Sequence, residues 1–446
     1  MGLLCALCCL MAGMAMAAGP RNIILFIGDG MSTPQRMVAE EFSRKAGAGP
    51  LAMNGLKFQA TTRTYSATSL VTDSAAAATA IACGEKTADG SVGVDRDGKR
   101  LVSCAEVARD AGRKVGIVTS VTINHATPAG FYAHRRSRSM LYEIGLDLVR
   151  SDFDLFMGGG LDNANAKTNN VSEYVGDLYE YAMDHGYTVR EGRDGFDSFA
   201  MISSEHPKIW WRSSEAALPY AIDAKGDDTP RLPEITRRAL DILGDNFFLM
   251  VEGGRVDWAG HANEAATNLR DLLELDDAVK VALEFQKEHP DTLIVVTGDH
   301  ETGGMSMGFA GTGYAFYVER LAGQTCSTEK FRERYHALKD AGGTFEDALA
   351  LVEQCYGLKA RGNDGDPMVM SEKDLDSLER HYEDGGFSDK VRRIMQGKAG
   401  VGWTSGSHTG LPALTTATGP CAERFTGLLD NTDIAKIIKD LVKSDE

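Results

Sequence analysis

Basic residues are in short supply: 47 Lys and Arg stand against 64 Asp and Glu, giving a formal charge of −17. Without a cationic surplus to displace counterions from phosphates, general nucleic-acid binding is excluded. Small polar substrates and metal ions suit this balance, and an anionic ligand has to be met by local cations. Beyond the first 18 residues no apolar run approaches the ~20 residues of a membrane-spanning helix. Cysteine is sparse, eight in all, with Cys5, Cys8 and Cys9 in that first segment. None of the other five, Cys83, Cys104, Cys326, Cys355 and Cys421, shows the C-x-x-C spacing of a zinc ribbon. In an exported protein Cys83–Cys104 and Cys326–Cys355 are the pairs nearest in sequence, and an odd count leaves at least one thiol; the sequence does not choose the connectivity. There is no internal repeat and no low-complexity tail.

What is present reads as globular: 43% hydrophobic and 25% charged residues over 446 positions. Met1 to Ala18 is apolar and uncharged and ends Ala15-Met16-Ala17, the pattern of a secretory signal peptide, although the usual Lys or Arg after Met1 is missing. This predicts a periplasmic or secreted protein with a single domain over 19–446 and no membrane span in the mature chain.

Short apolar runs, Asn22 to Ile27, Lys114 to Thr119, Phe153 to Met157, Asn246 to Val251 and Thr292 to Thr297, alternate with helical patterns. The alternation predicts an α/β fold with a mostly parallel central sheet and helices on both faces. Ligands gather at the carboxyl ends of such strands. Gly28-Asp29-Gly30, Glu252-Gly253-Gly254 and Gly298-Asp299-His300-Glu301 stand there. Apolar spacing over His261 to His289 predicts a long helix with His261 at its N-terminal end. Tyr314 to Val401 is charged and reads as an inserted cap region, helical in pieces. Leu161 to Arg231, with the Trp210-Trp211 pair, is less readable.

Val71-Thr72-Asp73-Ser74-Ala75-Ala76-Ala77-Ala78-Thr79 sets one serine beside an acid at the start of an alanine-rich helix over Ala75 to Ala82. The plain reading is an N-cap serine on a core helix; the functional one is a nucleophile facing an anion-binding helix end. Asp29, Glu252, Asp257, His261, Asp299, His300 and His408 are too many acids and imidazoles to converge without counter-charge, which divalent metals supply. Asp299 and His300 are adjacent and serve either one metal or two. His125-Ala126-Thr127 brings an imidazole and a hydroxyl to another strand end. His134-Arg135-Arg136-Ser137-Arg138 is a cationic cluster, read either as a solvated face or as the source of one anion-clamping Arg.

Together these motifs, from Asn22 to Thr409 and in this order, resemble the alkaline phosphatase family. The resemblance implies Ser74 as a nucleophile that becomes phosphoserine, and Arg138, helped by Asp73, as the grip on the phosphoryl oxygens. It implies one zinc on Asp257, His261 and His408 and a second on Asp29, Asp299 and His300, next to Ser74. A third site, for magnesium, is implied on Asp29, Thr127 and Glu252. Where enteric bacterial members have Asp and Lys near this third site, the chain has His125 and Trp258, as in some marine and cold-adapted bacterial members. His125 makes zinc the alternative third metal. The expected activity is hydrolysis of small phosphate monoesters at alkaline pH. A homodimer is compatible with the family, and the cap insertion stands either to build or to block such an interface. The rival readings are a phosphodiesterase or other superfamily member, and a non-catalytic exported zinc or phosphate carrier. A sulfatase is disfavoured because Ser74 is followed by alanines, outside a C/S-x-P/A-x-R setting.

Overall fold

The computed structural model describes residues 19–166, 171–199, 208–363, 365–383 and 385–443; the predicted signal peptide lies outside them. Fourteen strands are formed among the described residues: β1 (Asn22–Gly28), β2 (Phe58–Arg63), β3 (Lys114–Thr122), β4 (Leu155–Gly159), β5 (Thr188–Glu191), β6 (Ile209–Arg212), β7 (Phe247–Gly253), β8 (Thr292–Gly298), β9 (Glu301–Thr302), β10 (Ser306–Met307), β11 (Val401–Gly402), β12 (His408–Thr409), β13 (Ala413–Thr418) and β14 (Gly427–Asp430). Ten of them make one sheet in the order β14-β2-β13-β8-β1-β7-β3-β4-β6-β5. Every pairing in it is parallel except those of β13, which runs antiparallel to both β2 and β8. The predicted α/β class is thus what the chain adopts.

The five predicted runs fall on β1, β3, β4, β7 and β8, with β4 beginning two residues later than expected. All seven residues of β1, β7 and β8 are buried. Helices cover both faces of such strands, so their sequences are apolar throughout rather than alternating. Strand periodicity nevertheless sorts the side chains. Ile24 and Phe26 join one core with Leu249, Val251, Ile294 and Val296, whereas Ile23, Leu25 and Ile27 join the other with Phe248, Met250, Leu293 and Val295.

Onto the first face pack the helices Thr33–Lys45, Leu232–Leu243 and Ala265–Glu288; outside them, Thr328–Asp340, Phe345–Tyr356, Glu372–His381 and Phe387–Ala399 extend the same core, packed on one another and on the Val318–Gly323 turn. Onto the second face pack Ser74–Cys83, Cys104–Asp110, Leu141–Arg150 and Asn431–Lys443. Register brings the active edge into line: Gly28 pairs with both Gly253 and Gly298. Asp29 and Asp299 therefore leave the sheet at one level, and Glu252, paired with Ile27, lies two residues before it.

One predicted placement is corrected. His261 is the last residue of a separate short helix, Arg255–His261, and the long helix begins only at Ala265. The break is at Asn263, whose φ of 49° is left-handed, a conformation Asn tolerates better than most residues. Its amide holds the turn by donating to the carbonyl of Ser405 at 2.7 Å.

Candidate active site

Ser74 opens a ten-residue helix that is buried along its whole length. Asp73 is the N-cap, and its carboxylate accepts the Ala76 N–H at 3.0 Å. The run of alanines gives strong helix propensity and a slim cylinder. A neighbour can therefore come close: a Cβ on Gly130 would lie 3.0 Å from Ala78. Ser74 is 2% exposed and its Oγ lies 3.1 Å from His300 Nε2.

Sharp turns after the strands fold the acids inward. Gly30, at φ 71°, passes so close to Asp257 and Thr302 that a Cβ there would lie 2.9 Å from the Asp257 Cα. Its N–H donates to Asp299 Oδ1 at 3.0 Å. Asp299 Oδ2 is 3.1 Å, and Asp29 Oδ1 3.4 Å, from His300 Nε2. Adjacent on a turn rather than on a strand, Asp299 and His300 thus aim at one point instead of at opposite sides. Thr127 Oγ1 donates to Asp29 Oδ2 at 3.2 Å, and Thr119 Oγ1 donates to Glu252.

Asp257 and His261 share a face of their short helix one turn apart, with His261 Nε2 3.4 Å from Asp257 Oδ2. His408 arrives on β12, which pairs with β9, and its Nε2 lies 3.6 Å from Asp257 Oδ1 and 3.1 Å from His261 Nε2. The outer ring nitrogens fix the inner ones. His408 Nδ1–H donates to the Thr72 carbonyl and His261 Nδ1–H to the Gly406 carbonyl, each at 2.8 Å. A carbonyl only accepts, so in the neutral rings both Nε2 atoms direct lone pairs at each other. Facing lone pairs repel unless a cation lies between them.

The carboxylates make the same demand. Burial, reinforced by Asp299, Asp257 and Glu252, raises the pKa of Asp29 well above the ordinary range. Burial, with Asp299 and Asp257, lifts Glu252 to about 8. Asp299 is buried too, yet its contact with His300 holds it below the usual value; His300 is raised in turn, Asp299 outweighing burial. Burial brings His125 and His408 down to about 4, with Arg138 and His300 respectively adding to the effect. Asp29 Oδ1, Glu252 Oε1, Asp299 Oδ2 and His125 Nδ1 are buried without a hydrogen-bond partner. Orphaned anionic oxygens beside inward-facing imidazoles are the donor set of a divalent metal centre. Among the described residues three triplets lie close enough to hold an ion: Asp257, His300 and His408; Asp29, Asp299 and His300; and Asp29, His125 and Glu252.

Arg138 stands at the rim. Its Nη1 donates to Asp73 Oδ2 at 3.2 Å and its Nη2 to His125 Nε2 at 3.2 Å. The rest of the cationic cluster turns away: Arg135 pairs with Asp147, His134 bonds Glu106, and Arg136 bonds the Asp97 carbonyl. Trp258 meets His125 edge-on at 6.2 Å, and the Arg255 guanidinium lies 4.7 Å from the Trp258 ring centre. The structure thus gathers Ser74, Arg138, the acids and the imidazoles named above at one edge of the sheet, whereas His134, Arg135 and Arg136 face away from it.

Three supporting residues did not stand out there. Thr302 Oγ1 lies 2.5 Å from Asp257 Oδ1 and 3.2 Å from His300 Nδ1. Glu301 is buried and accepts from Gln35, Thr409 and the N–H groups of Gly304 and Met305, tying the β9–β12 ribbon to the Thr33–Lys45 helix. Thr119 holds Glu252. The only signal was position, since Glu301 and Thr302 directly follow Asp299-His300.

Comparisons with known proteins point to one family. The family model described as alkaline phosphatase matches residues 20–444. Alkaline phosphatase 4 of Bacillus subtilis is 32% identical, the match covering 95% of this chain and 89% of that protein. Among solved structures, a cold-active alkaline phosphatase from a psychrophilic Shewanella superposes with a TM-score of 0.82 at 29% identity, over 94% of this chain and 99% of its own. The Thermus thermophilus alkaline phosphatase does so with a TM-score of 0.80 at 26% identity, over 96% and 92%. The family model over residues 20–444, together with the Bacillus relative, places this chain in the alkaline phosphatase family.

Proposed function

We propose that this chain hydrolyses phosphate monoesters at alkaline pH through a phosphoserine on Ser74, releasing inorganic phosphate and an alcohol. The observation that carries the reading is Ser74 Oγ, at a buried helix N-terminus, 3.1 Å from an imidazole shared by two metal-competent triplets. A phosphate monoester shields its phosphorus with anionic oxygens and has a poor leaving group, so catalysis rests on positioning and on positive charge at both ends of an in-line displacement. Divalent cations, read as two zinc ions and one magnesium or zinc, would supply that charge when bound and lower the pKa of the serine hydroxyl and of the attacking water.

The chain's own groups do the rest. Asp257, His261 and His408 would hold one ion, Asp29, Asp299 and His300 the second, next to Ser74, and Asp29, Thr127 and Glu252 the third, with His125 and Trp258 beside it. Arg138 offers a planar fork of donors to two non-bridging oxygens and is kept at the rim by Asp73 and His125. The N-terminus of the Ser74–Cys83 helix adds its positive end. Ser74 Oγ gives up its proton and bonds to phosphorus as the ester P–O bond breaks, and the leaving oxygen takes a proton and departs as the alcohol. Water then gives up a proton and bonds to phosphorus, the Oγ–P bond breaks with Oγ regaining a proton, and Arg138 steadies the same oxygens in both halves.

Export and a single domain over 19–446, with 314–401 as an inserted cap, belong to the same proposal. No described helix is long and apolar enough to cross a membrane. The test is direct. Ser74→Ala abolishes phosphate release from p-nitrophenyl phosphate and the acid-stable trapping of labelled phosphoserine; EDTA-treated protein loses activity and regains it with zinc plus magnesium. Label on any other residue, or full activity after exhaustive chelation, overturns the reading.

A further inference from the structure

Away from the metal-competent cluster, the start of one helix of the 314–401 stretch and the end of the next bring two thiols together. Cys326 precedes the helix Thr328–Asp340, and Cys355 is in the last turn of Phe345–Tyr356. Their backbones run side by side: the Thr325 N–H donates to the Cys355 carbonyl at 2.8 Å, and Thr325 Oγ1 to the Gln354 carbonyl at 3.1 Å. Gly357 and Gly323 approach so closely that a Cβ on Gly357 would lie 3.3 Å from the Gly323 Cα. The two thiols hydrogen-bond each other and are 2% and 0% exposed. Arg334 Nη1 points at Cys355 Sγ from 3.5 Å. Cys83, also buried, directs its thiol instead at the Gly130 carbonyl, 3.9 Å away.

We propose that Cys326 and Cys355 are a modification site that closes to a disulfide in the mature protein, stapling the cap helices beside the active-site wall. The oxidant is a disulfide donor, either an oxidised thiol–disulfide oxidoreductase or oxidised glutathione. In a local opening of the cap that exposes the pair to the donor, the Cys355 thiolate attacks the donor disulfide, forming a mixed disulfide and releasing one donor thiol. Cys326 gives its proton to solvent and attacks the Cys355 sulfur, displacing the second donor sulfur as a thiol. Two protein thiols are thereby oxidised by two electrons, and one donor disulfide becomes two thiols. The hydrogen bond from Cys326 brings the Cys355 thiol down to about 7 against its burial, with Arg334 adding to it, which favours Cys355 as the first attacker.

The staple bears on the site through Glu264, three residues beyond His261. Glu264 Oε1 accepts from Gln324 Nε2 at 2.8 Å and from the Thr328 N–H at 2.6 Å, one on either side of Cys326. Gln324 Nε2 also bonds the Cys326 carbonyl at 2.9 Å. Closing the bond fixes the segment that clamps Glu264 and, with it, the turn following the His261 helix.

The experiment takes the full chain, synthesised in an oxidising compartment and purified without reductant, and alkylates it with iodoacetamide in denaturant. It is then digested without reduction for mass spectrometry. The expected result is one peptide pair joined through Cys326 and Cys355, two hydrogens lighter than the sum of its parts. Recovery of both cysteines alkylated, or of either joined to another cysteine, overturns the proposal. A second readout guards against damage by substitution. Closing a loop of about 30 residues predicts that reductant lowers the Tm of the wild type by about 4 °C. The Cys326→Ser and Cys355→Ser variants should show no such response, and equal responses in wild type and variants contradict the staple.

Discussion

Replacing Thr302 by Val tests whether the metal-competent groups are held from behind. A hydroxyl has one proton to give. Thr302 Oγ1 gives it to Asp257 Oδ1 at 2.5 Å and accepts the His300 Nδ1–H at 3.2 Å, so a single side chain orients a carboxylate and fixes an imidazole tautomer. That tautomer leaves the His300 Nε2 lone pair facing Ser74 and the acids. Val keeps the volume at a fully buried position but removes both bonds. A hydrogen bond to a charged group is worth about 1.5–3 kcal/mol. Losing the partners behind metal ligands typically lowers affinity about 10–100-fold, or about 1.4–2.7 kcal/mol, and the two magnitudes agree. Titrating metal-free Thr302→Val with zinc against a competing chelator should therefore show Kd raised about 10–100-fold, with excess zinc restoring most of kcat. Unchanged zinc affinity would refute the reasoning, as would a loss of kcat that excess zinc does not repair.

Arg138→Ala should lower kcat/KM by about 100-fold, or about 3 kcal/mol, while Ser74 is still phosphorylated; a change below threefold would mean that the guanidinium does not reach the phosphoryl group. Metal-free protein should lose Tm as pH rises from 6.5 to 8 and metal-loaded protein should not. Asp29, Glu252 and His300 all have raised folded-state pKa values, so the stability they contribute is present at low pH and lost as pH rises through those values. His125 and His408 are lowered, so they oppose that trend only between about 4 and their ordinary value of 6.5. A Tm of the chelated protein that stays flat or climbs above pH 6.5 would contradict the charge assignment. Gly30→Ala imposes a side chain at φ 71° with its Cβ 2.7 Å from Thr302 Oγ1. It should lower Tm and zinc affinity together, and zinc binding unaltered by this substitution would show that the turn is not shaping the site.

The strands nearest the site were legible because burial on both faces leaves an unmistakable apolar run, as in Asn22–Gly28 and Thr292–Gly298. Those farther out were not. Phe58–Arg63 and Ala413–Thr418 carry threonines, some of which bond one another across the sheet, as Thr62 does with Thr415. Such residues read as loop until the partner strand is known. The Trp210-Trp211 pair lies on a four-residue strand, too short for its period to emerge. The acids and imidazoles were visible because few other roles explain them at strand ends. Thr302 and Thr119 were not, because a threonine behind a ligand has the same local sequence as one in any turn. The His261 placement failed where Asn263 reverses the backbone, a choice that depends on its amide reaching Ser405, far along the chain.

His408 reaches its place only through the small β9–β12 ribbon, at position 408 of 446. A chain still emerging from the ribosome, or one cut short before this histidine, therefore has the acids without the imidazole that closes their circle. Assembly of this cluster therefore waits for the segment that carries His408, long after the acids of β1 and β7 have been made.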